Sequence, residues 1–328
     1  MEYKQLGVTD LQVSRICFGT FAFGGMWGGL DEEAAIATTR KALDLGINFF
    51  DTAQAYGFGK AETLIARALG NEIKNRRDSL VLATKGGMAW VEGQLPTRDS
   101  SPACLRKGLE ESLAFLGTDY VDLYQVHFPD SGTPFEETAS VCEDFVKEGK
   151  ARYIGVSNYN VDQMKAFAKT RRVDSIQPPY SILAREIEED ILPYCEAEEI
   201  GTLVYGPLAH GFIGGKIGPH TVFPDNDWRS MSPAFKGESF QRNLQVVERL
   251  KKYAAQKGCS VCQLAIAWAL ANPAVDVAIV GGRRPEYIEE TAASVDVDLT
   301  SEEKAEIEEL AKDAVPFVEF MPPDRLPS

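Results

Sequence analysis

Four residues carry side chains that together could transfer a proton to a carbonyl oxygen: Asp51, Tyr56, Lys85 and His127. A lysine and an aspartate that face each other in a buried site form a plausible ion pair. A phenol beside that lysine would have its anion stabilised, which lowers its pKa from about 10 toward neutrality. Tyr56 could then give a proton to the oxygen of a carbonyl while a hydride reaches its carbon. His127 could hydrogen-bond the same oxygen and orient the substrate.

Each of these residues also has a purely structural interpretation. Asp51 precedes Thr52 and could cap a helix or a turn, which is the commoner role for such a residue taken alone. Lys85 could extend its amine to solvent, His127 could be a buried structural histidine, and Tyr56 could pack within its loop. Their conjunction favours a site, because three of them end successive predicted strands and Tyr56 lies on the loop after the first of these.

Eight short apolar segments rich in β-branched residues alternate with helical patterns between about residue 16 and residue 293. The segments are ICFGT, INFFDTA, LVLATK, VDLYQVH, ARYIGVSN, DSIQPPY, GTLVYGP and VDVAIVGG. This alternation predicts an α/β fold, a closed (β/α)8 TIM barrel with extra helices. The opening segments EYKQLG and LQVSR predict an N-terminal hairpin that closes the barrel floor.

The residues that end the predicted strands are mostly polar or glycine. They are Gly19-Thr20, Asp51, Lys85, His127, Ser157-Asn158, Gln177, Tyr205 and Gly281-Gly282. The carboxyl ends of the strands of such a barrel meet at one mouth, where active sites are assembled. We therefore expect these residues to converge there.

Helix boundaries are marked by familiar signals. Residues 101–117 open on Ser101-Pro102, present leucines every three or four residues and stop at a glycine, which predicts an amphipathic helix. Thr133–Glu136 predicts a capping box for the next helix, which a glycine at 149 ends, and Asn160–Gln163 predicts another box.

The whole chain, residues 1–328, is predicted to be one barrel domain. The stretch from about 209 to 240, after the seventh strand, is rich in Gly, Pro, Asp and Asn. A long connection at that point of a barrel favours a functional loop over a second domain. The Pro-rich tail, about 314–328, is predicted to wrap the surface or to cap a site.

Composition narrows the function classes. A formal net charge of −15 disfavours nucleic acid or an anionic membrane as a partner. The chain has no run of about eighteen apolar residues and no signal-peptide pattern, so a cytoplasmic protein is expected. Cys259 and Cys262 are the only closely spaced cysteines among six, which favours reduced core thiols. With three histidines in total, no metal site is expected.

The blocks FFDTAQAYGFG, ATKGG, DLYQVHFPD, YIGVSNY, IQPPYS, VYGPLAHGFIGGK and VGGRRP stand in an order that resembles the aldo-keto reductases. The resemblance runs from residue 2 to residue 324. It is strongest to the bacterial NADPH-dependent reductases of the general-stress-protein type, which share MWGG, IQPPY and the C-terminal EFMPP segment.

This resemblance implies a role for each site residue. Tyr56 would be the general acid in reduction and the base in oxidation, supported by Asp51, Lys85 and His127. The nicotinamide cofactor would lie against the other strand ends and the long loop. Its predicted contacts are Gly19, Thr20, Phe21, Ser157, Asn158, Gln177, Tyr205, Gly206, Pro207, Leu208, Gly211, Lys216, Arg229, Gly281, Gly282, Arg283 and Arg284.

The resemblance assigns each group of these residues to a different part of the cofactor. Ser157, Asn158 and Gln177 would hold the carboxamide, and Tyr205 would stack on the ring, which fixes the face that delivers hydride. The backbone near residues 206–211, with Lys216 and Arg229, would meet the pyrophosphate. Arg283 and Arg284 would face the adenosine end, and two guanidinium groups there favour NADP(H) over NAD(H).

The chain departs from the family pattern at several positions. Tyr287 and Thr291 replace the usual amides near the adenine, and Phe21 and Phe128 replace tryptophans, which predicts a roomier, less polar pocket. Further candidates for the pocket wall are aromatic or sulfur-containing residues in loops and in the tail. They are Trp90, Trp228, Phe320 and Met321.

The predicted activity is reduction of small aldehydes and ketones, with sugar-derived carbonyl compounds among the candidates. One alternative is a cofactor-binding regulatory subunit with slow turnover, as in the potassium-channel β subunits that share this fold. A metal-dependent barrel enzyme is a second alternative, but the strand ends lack clustered carboxylates and histidines. The sequence predicts no particular oligomeric state.

Overall fold

The computed structural model describes residues 1–25, 27–90 and 96–316. Its strands alternate with helices for most of the chain. They are β1 (Tyr3–Gln5), β2 (Gln12–Ser14), β3 (Ile16–Gly19), β4 (Phe49–Asp51), β5 (Val81–Gly86), β6 (Met88–Ala89), β7 (Thr97–Arg98), β8 (Val121–Val126), β9 (Ala151–Ser157), β10 (Ser175–Gln177), β11 (Gly201–Tyr205) and β12 (Val277–Gly281).

Eight of these strands form a closed barrel in the order β10-β11-β12-β3-β4-β5-β8-β9, and every pairing in it is parallel. Each matches one of the apolar segments found in the sequence, so the predicted (β/α)8 TIM barrel is confirmed. The strands are buried along nearly their whole length because helices cover the outside and side chains fill the inside.

The helices lie between the strands and after them. They are α1 (Glu32–Asp44), α2 (Lys60–Asn75), α3 (Pro102–Leu116), α4 (Phe135–Lys147), α5 (Val161–Ala168), α6 (Ile191–Glu198), α7 (Gly237–Lys257), α8 (Val261–Leu270), α9 (Pro285–Ala292) and α10 (Ser301–Leu310). None of the helices within the described ranges is long and apolar enough to cross a membrane.

Two of the predicted helix starts are confirmed and one is wrong. Ser101 caps α3, and Asn160 forms a reciprocal capping box with Gln163 at the start of α5. The box predicted at Thr133 does not form, since α4 begins after Pro134 without a side-chain cap. The Thr133 hydroxyl instead donates to the Asp130 carboxylate at 2.6 Å, a stronger acceptor in the same turn.

The N-terminal hairpin and inward-facing strand residues fill the barrel interior at the end where the strands begin. β1 and β2 pair antiparallel, which confirms the predicted hairpin. Its Leu6, Leu11 and Val13 join Phe49, Leu123 and other inward residues in one buried apolar cluster. The polar residues of the inner face therefore gather at the opposite end, beyond the carboxyl ends of the strands.

The long loop after β11 is an ordered part of that end. It contains single turns at Trp228–Ser230 and Pro233–Phe235 before α7 begins. A β-bridge between Trp27 and Asp227 ties it to the loop after β3. In the tail, the Asn243 side chain exchanges hydrogen bonds with the backbone of Val315. Phe320, Met321 and the EFMPP segment lie outside the described residues.

Candidate active site

Asp51, Tyr56 and Lys85 are in direct contact at the carboxyl end of the barrel. The Lys85 Nζ lies 2.5 Å from Asp51 Oδ1, 2.8 Å from the Thr52 carbonyl oxygen and 3.3 Å from Tyr56 Oη. Lys85 is 1% exposed and Asp51 is 2% exposed, so the ion pair lies behind the phenol rather than in solvent. The His127 ring packs edge-on against the Tyr56 ring with centroids 5.6 Å apart.

The loop after β4 presents Tyr56 to the mouth of the barrel. Gly57 follows it with φ +70, a conformation that glycine adopts without strain. Gly24 approaches from the other side, and a Cβ there would lie 3.0 Å from the Tyr56 carbonyl carbon. The Phe21 ring closes the arrangement, with its centroid 5.2 Å from that of Tyr56. The phenol is therefore fixed by close backbone contact as well as by its lysine.

The electrostatics differ in one respect from the sequence prediction. Burial raises the pKa of the Tyr56 phenol, and the opposing effect of the Lys85 ammonium does not cancel it. The predicted fall of this pKa toward neutrality is therefore wrong, since removal from water penalises the phenolate more than the lysine favours it. Tyr56 keeps its proton at neutral pH.

The two other titratable groups have defined states. Burial disfavours the charge on Lys85, but the Asp51 carboxylate and Tyr56 outweigh it and raise the pKa of the ammonium. Burial, together with the nearby Lys85 charge, holds the pKa of His127 well below its ordinary value. His127 is thus a neutral imidazole. Its buried Nδ1 has no hydrogen-bond partner among residues 1–25, 27–90 and 96–316.

A cavity of about 590 Å³ extends from Tyr56 and His127 across the strand ends to α9. Most of the predicted cofactor contacts line it: Gly19, Phe21, Ser157, Asn158, Gln177, Tyr205, Gly206, Pro207, Leu208, Gly211, Lys216, Arg229, Gly281, Gly282 and Arg283. Thr20 faces elsewhere, because it is buried and its hydroxyl donates to the Asp51 carbonyl at 3.1 Å. Arg284 points to solvent, with its side chain 67% exposed.

Hydrogen bonds hold the polar wall of this cavity in one arrangement. Asn158, with φ +61, donates from Nδ2 to the His127 carbonyl and to Ser157 Oγ, both at 3.0 Å. The Tyr205 hydroxyl donates to Asn158 Oδ1 at 2.8 Å, and Ser157 donates to the Gln177 carbonyl. The amide and hydroxyl groups that end three neighbouring strands are therefore pre-positioned.

Comparison with known proteins identifies the family. The family model described as "Aldo/keto reductase family" matches residues 15–312, which is most of the chain. The chain belongs to the aldo/keto reductase family. Aldo-keto reductase YhdN of Bacillus subtilis is 41% identical over 317 residues, covering 96% of this chain and 95% of YhdN. The NADH-specific methylglyoxal reductase of Escherichia coli is 32% identical over 95% of this chain and 99% of its own length.

A solved structure gives the same result. The glycerol dehydrogenase AKR11B4 from Gluconobacter oxydans superposes with a TM-score of 0.87 at 36% identity, over 97% of this chain and 98% of that chain. As an aldo/keto reductase, the protein is an NAD(P)H-dependent oxidoreductase that acts on carbonyl compounds. The described residues contain no group of three or more His, Cys, Asp or Glu placed to hold a metal ion.

Two of the arginines that line the cavity already have partners within the protein. Arg229 pairs with the buried Asp227, at 2.6 Å, and its guanidinium lies 4.3 Å from the Trp27 ring centroid. Arg283 donates from Nη1 to the carbonyl oxygens of Trp27 and Gly29, at 2.7 and 3.1 Å. These two arginines therefore fasten the loop after β3 across the cavity as well as bringing charge to it.

Tyr287 and Thr291, the two positions where the usual amides were predicted to be replaced, line the far end of the cavity. Lys216 Nζ lies 4.0 Å from the Tyr287 ring centroid, so the tyrosine packs against a cation. The Thr291 hydroxyl donates to the Tyr287 carbonyl at 3.0 Å. Glu290 also lines this end, and sequence reasoning did not single it out.

The aromatic candidates divide into two groups. Phe21, Phe128 and Trp228 line the cavity. Trp90 does not reach it: its ring is 48% exposed and stacks on Phe58 at 4.4 Å. Sequence reasoning did not assign several other residues to the wall, among them Trp27, Met88 and His210. Trp27 and His210 lie on loops and Met88 lies on the two-residue strand β6, where no periodic pattern indicates which side chains turn inward.

The most informative residue that sequence reasoning missed is Gln125. It lies two positions before His127, on the inward-facing side of β8, and it is completely buried. A polar side chain at an inward position of an apolar strand was the available signal. Its Nε2 donates a hydrogen bond to Asp51 Oδ2 at 3.1 Å.

Proposed function

We propose that this aldo/keto reductase uses NADP(H) to reduce small aldehydes and ketones to alcohols, with Tyr56 as the general acid. The observation that carries the proposal is the contact between Tyr56 Oη and Lys85 Nζ, 3.3 Å apart at the wall of a cavity that His127 also lines. The family model spans residues 15–312, which supports the further proposal that the chain is one domain.

The cavity has the character that a nicotinamide dinucleotide requires. Near Tyr56 it offers amide and hydroxyl groups for a carboxamide, from Ser157, Asn158 and Gln177. Along its length the cavity is lined by glycines, among them Gly206, Gly211 and Gly282, which have no side chain to keep a ligand from the backbone. When bound, the cofactor supplies the hydride that adds to the carbonyl carbon.

The residues of the chain supply the proton and the orientation. Tyr56 is protonated at neutral pH, so it can donate to a carbonyl oxygen that gains negative charge. The Lys85 ammonium then stabilises the phenolate that Tyr56 becomes, and Asp51 keeps that ammonium in place and charged. A neutral His127 can donate one hydrogen bond to the same oxygen without placing a second positive charge beside Lys85.

The preference for NADP(H) is proposed from charge at the far end of the cavity. Lys216 and Arg283 line that end, and Arg284 lies beside it with an exposed guanidinium. Cationic groups of this kind favour a 2′-phosphate dianion over a hydroxyl. The Escherichia coli relative is named as NADH-specific, so the preference of this chain needs its own measurement.

The test compares wild type with Tyr56→Phe on a panel of aldehydes and ketones, with NADPH and NADH side by side. We expect kcat for Tyr56→Phe to fall by about a thousandfold or more. Cofactor affinity, followed by fluorescence titration, should stay within about threefold because the phenol acts in the chemical step. Equal losses in turnover and affinity would refute the proposed role. Tight cofactor binding with negligible wild-type turnover would favour a regulatory cofactor-binding protein instead.

A further inference from the structure

Gln125 lies at the centre of a closed set of hydrogen bonds beneath the catalytic groups. Its Nε2 donates to Asp51 Oδ2 at 3.1 Å, and its Oε1 accepts from Gln177 Nε2 at 3.1 Å. Gln177 Nε2 also donates to Asp51 Oδ2, at 2.9 Å. The three side chains come from three different barrel strands and are almost entirely shielded from water. The Asp51 carboxylate therefore has Lys85 on one oxygen and two amide donors on the other.

The geometry also settles which way the two amides point. If the Gln125 amide were turned over, its NH2 group would face the NH2 group of Gln177, and Asp51 would lose a donor. If the Gln177 amide were turned over, its oxygen would face the Asp51 carboxylate. Both alternatives leave buried polar atoms opposed, which is costly away from water. Gln177 therefore keeps its Nε2 inward and has its Oε1 left for the cavity that it lines.

We propose that Gln125 is a positioning residue of the reaction: through Asp51 it fixes Lys85 against Tyr56, and through Gln177 it orients the amide that faces the nicotinamide end of the cofactor. This inference rests on the proposed catalytic role of Tyr56. It adds that the proton-donating group and the cofactor-holding group share one buried anchor.

The charges around Asp51 explain why its hydrogen bond from Gln125 should affect Tyr56. The titratable groups that face Tyr56 and Asp51 are Lys85, His127 and Cys17, and Glu62 lies behind β5. Burial raises the pKa of the Cys17 thiol and of the Glu62 carboxyl and lowers that of His127. The ion pair of Asp51 with Lys85, 2.5 Å apart, lies next to Tyr56 and dominates the field there. An amide donor on Asp51 Oδ2 moderates the negative field that Tyr56 experiences.

The test uses Gln125→Met, which keeps the length of the side chain but removes its donor and acceptor. We expect kcat to fall about tenfold, the scale of one hydrogen bond to a charged group. In alcohol oxidation, the apparent pKa for loss of the Tyr56 proton should rise by about half a unit, because the Asp51 charge is less screened. Leu123→Met, two positions earlier on the same buried side of β8, is the matched packing control and should leave both quantities unchanged.

A second variant, Gln125→Glu, separates positioning from packing. A protonated glutamic acid donates to Asp51 and accepts from Gln177, so it reproduces both bonds. Once ionised, it opposes the Asp51 charge. Activity relative to wild type should therefore be largest in acid and decline by about tenfold or more as the introduced carboxyl ionises. Thermal unfolding and circular dichroism establish that each variant is folded, and Gln125→Glu carries the test if Gln125→Met does not fold.

The outcomes are distinct. Gln125→Met behaving as Leu123→Met would overturn the inference, as would a Gln125→Glu loss that is the same at every pH. If the Gln125 variants fail in this way but Tyr56→Phe is inactive in the same experiments, the proposed function still stands. If Tyr56→Phe is as active as wild type, the proposed function itself fails, whatever Gln125 does.

Discussion

Replacing Lys85 with methionine tests how much the ammonium contributes to proton transfer. Its Nζ is 3.3 Å from Tyr56 Oη. At an effective dielectric constant of about 20, a full charge on each atom at that separation interacts by about 5 kcal/mol, which is a ceiling. If about half of the phenolate charge has developed in the transition state, the loss is about 2.5 kcal/mol, or about 70-fold in kcat. We therefore expect a fall between about 70-fold and a few thousandfold.

The assay is steady-state turnover in both directions, followed by nicotinamide absorbance across a range of pH. In alcohol oxidation, Lys85→Met should also shift the active range to higher pH, since the lysine lowers the pKa of Tyr56 against the effect of burial. The variant leaves the Asp51 carboxylate buried and unpaired, so Asp51→Asn/Lys85→Met is measured beside it to separate lost stability from lost catalysis. Lys107→Met, an exposed lysine on α3, is the control. A kcat within about threefold of wild type in a folded Lys85→Met protein would refute the reasoning.

Three further predictions concern the cofactor, the substrate and stability. Arg284→Ala should raise the KM for NADPH about tenfold in steady-state assays and leave that for NADH unchanged. Phe128→Trp should lower kcat/KM for bulky aldehydes about tenfold relative to small ones, because Phe128 lines the cavity and stacks on His127. Since the folded pKa of His127 is depressed, the unfolded chain takes up the extra proton, and stability falls as pH drops below about 6.5. His127→Gln should lessen that fall in urea denaturation.

Each of these predictions has its own control. Equal losses with both nicotinamides would show that Arg284 acts on the fold rather than on the 2′-phosphate. Phe115→Trp, a half-exposed ring on α3, should leave the aldehyde preference unaltered, and an unchanged preference in Phe128→Trp would contradict the pocket assignment. His220→Gln, in the exposed part of the long loop, should retain the full acid sensitivity. The same acid sensitivity in His127→Gln would exclude His127 as its source.

The barrel and the positions of the proposed catalytic side chains were accessible from the sequence because both follow from periodicity. Asp51, Lys85 and His127 end consecutive barrel strands, and parallel strands bring their carboxyl ends together whatever the loops do. The capping residues at Ser101 and Asn160 were predictable for a similar reason, since their hydrogen bonds span only three residues.

Other features depended on contacts between distant segments. The direction of the pKa shift of Tyr56 was predicted wrongly from the sequence, because burial and Lys85 act in opposite senses and only coordinates give their balance. Arg283 was expected to face the adenosine end of the cofactor, and no sequence pattern indicated its bonds to the carbonyls of Trp27 and Gly29, which span more than 250 positions. Gln125 escaped notice because its two partners come from strands far from it in sequence.

The hairpin that closes the barrel floor lies at the opposite end from the site, so substitutions that affect stability and substitutions that affect chemistry fall in different places. Its turn is pressed onto the start of β11: a Cβ on Gly7 would lie 2.5 Å from the Gly201 nitrogen. Changes there would alter the stability of the scaffold without altering chemistry at the far end, whereas changes in the loops of the mouth would redirect chemistry at little cost to the scaffold. A laboratory lineage selected for heat resistance should therefore accumulate substitutions at the hairpin, and one selected for new substrates should leave it untouched.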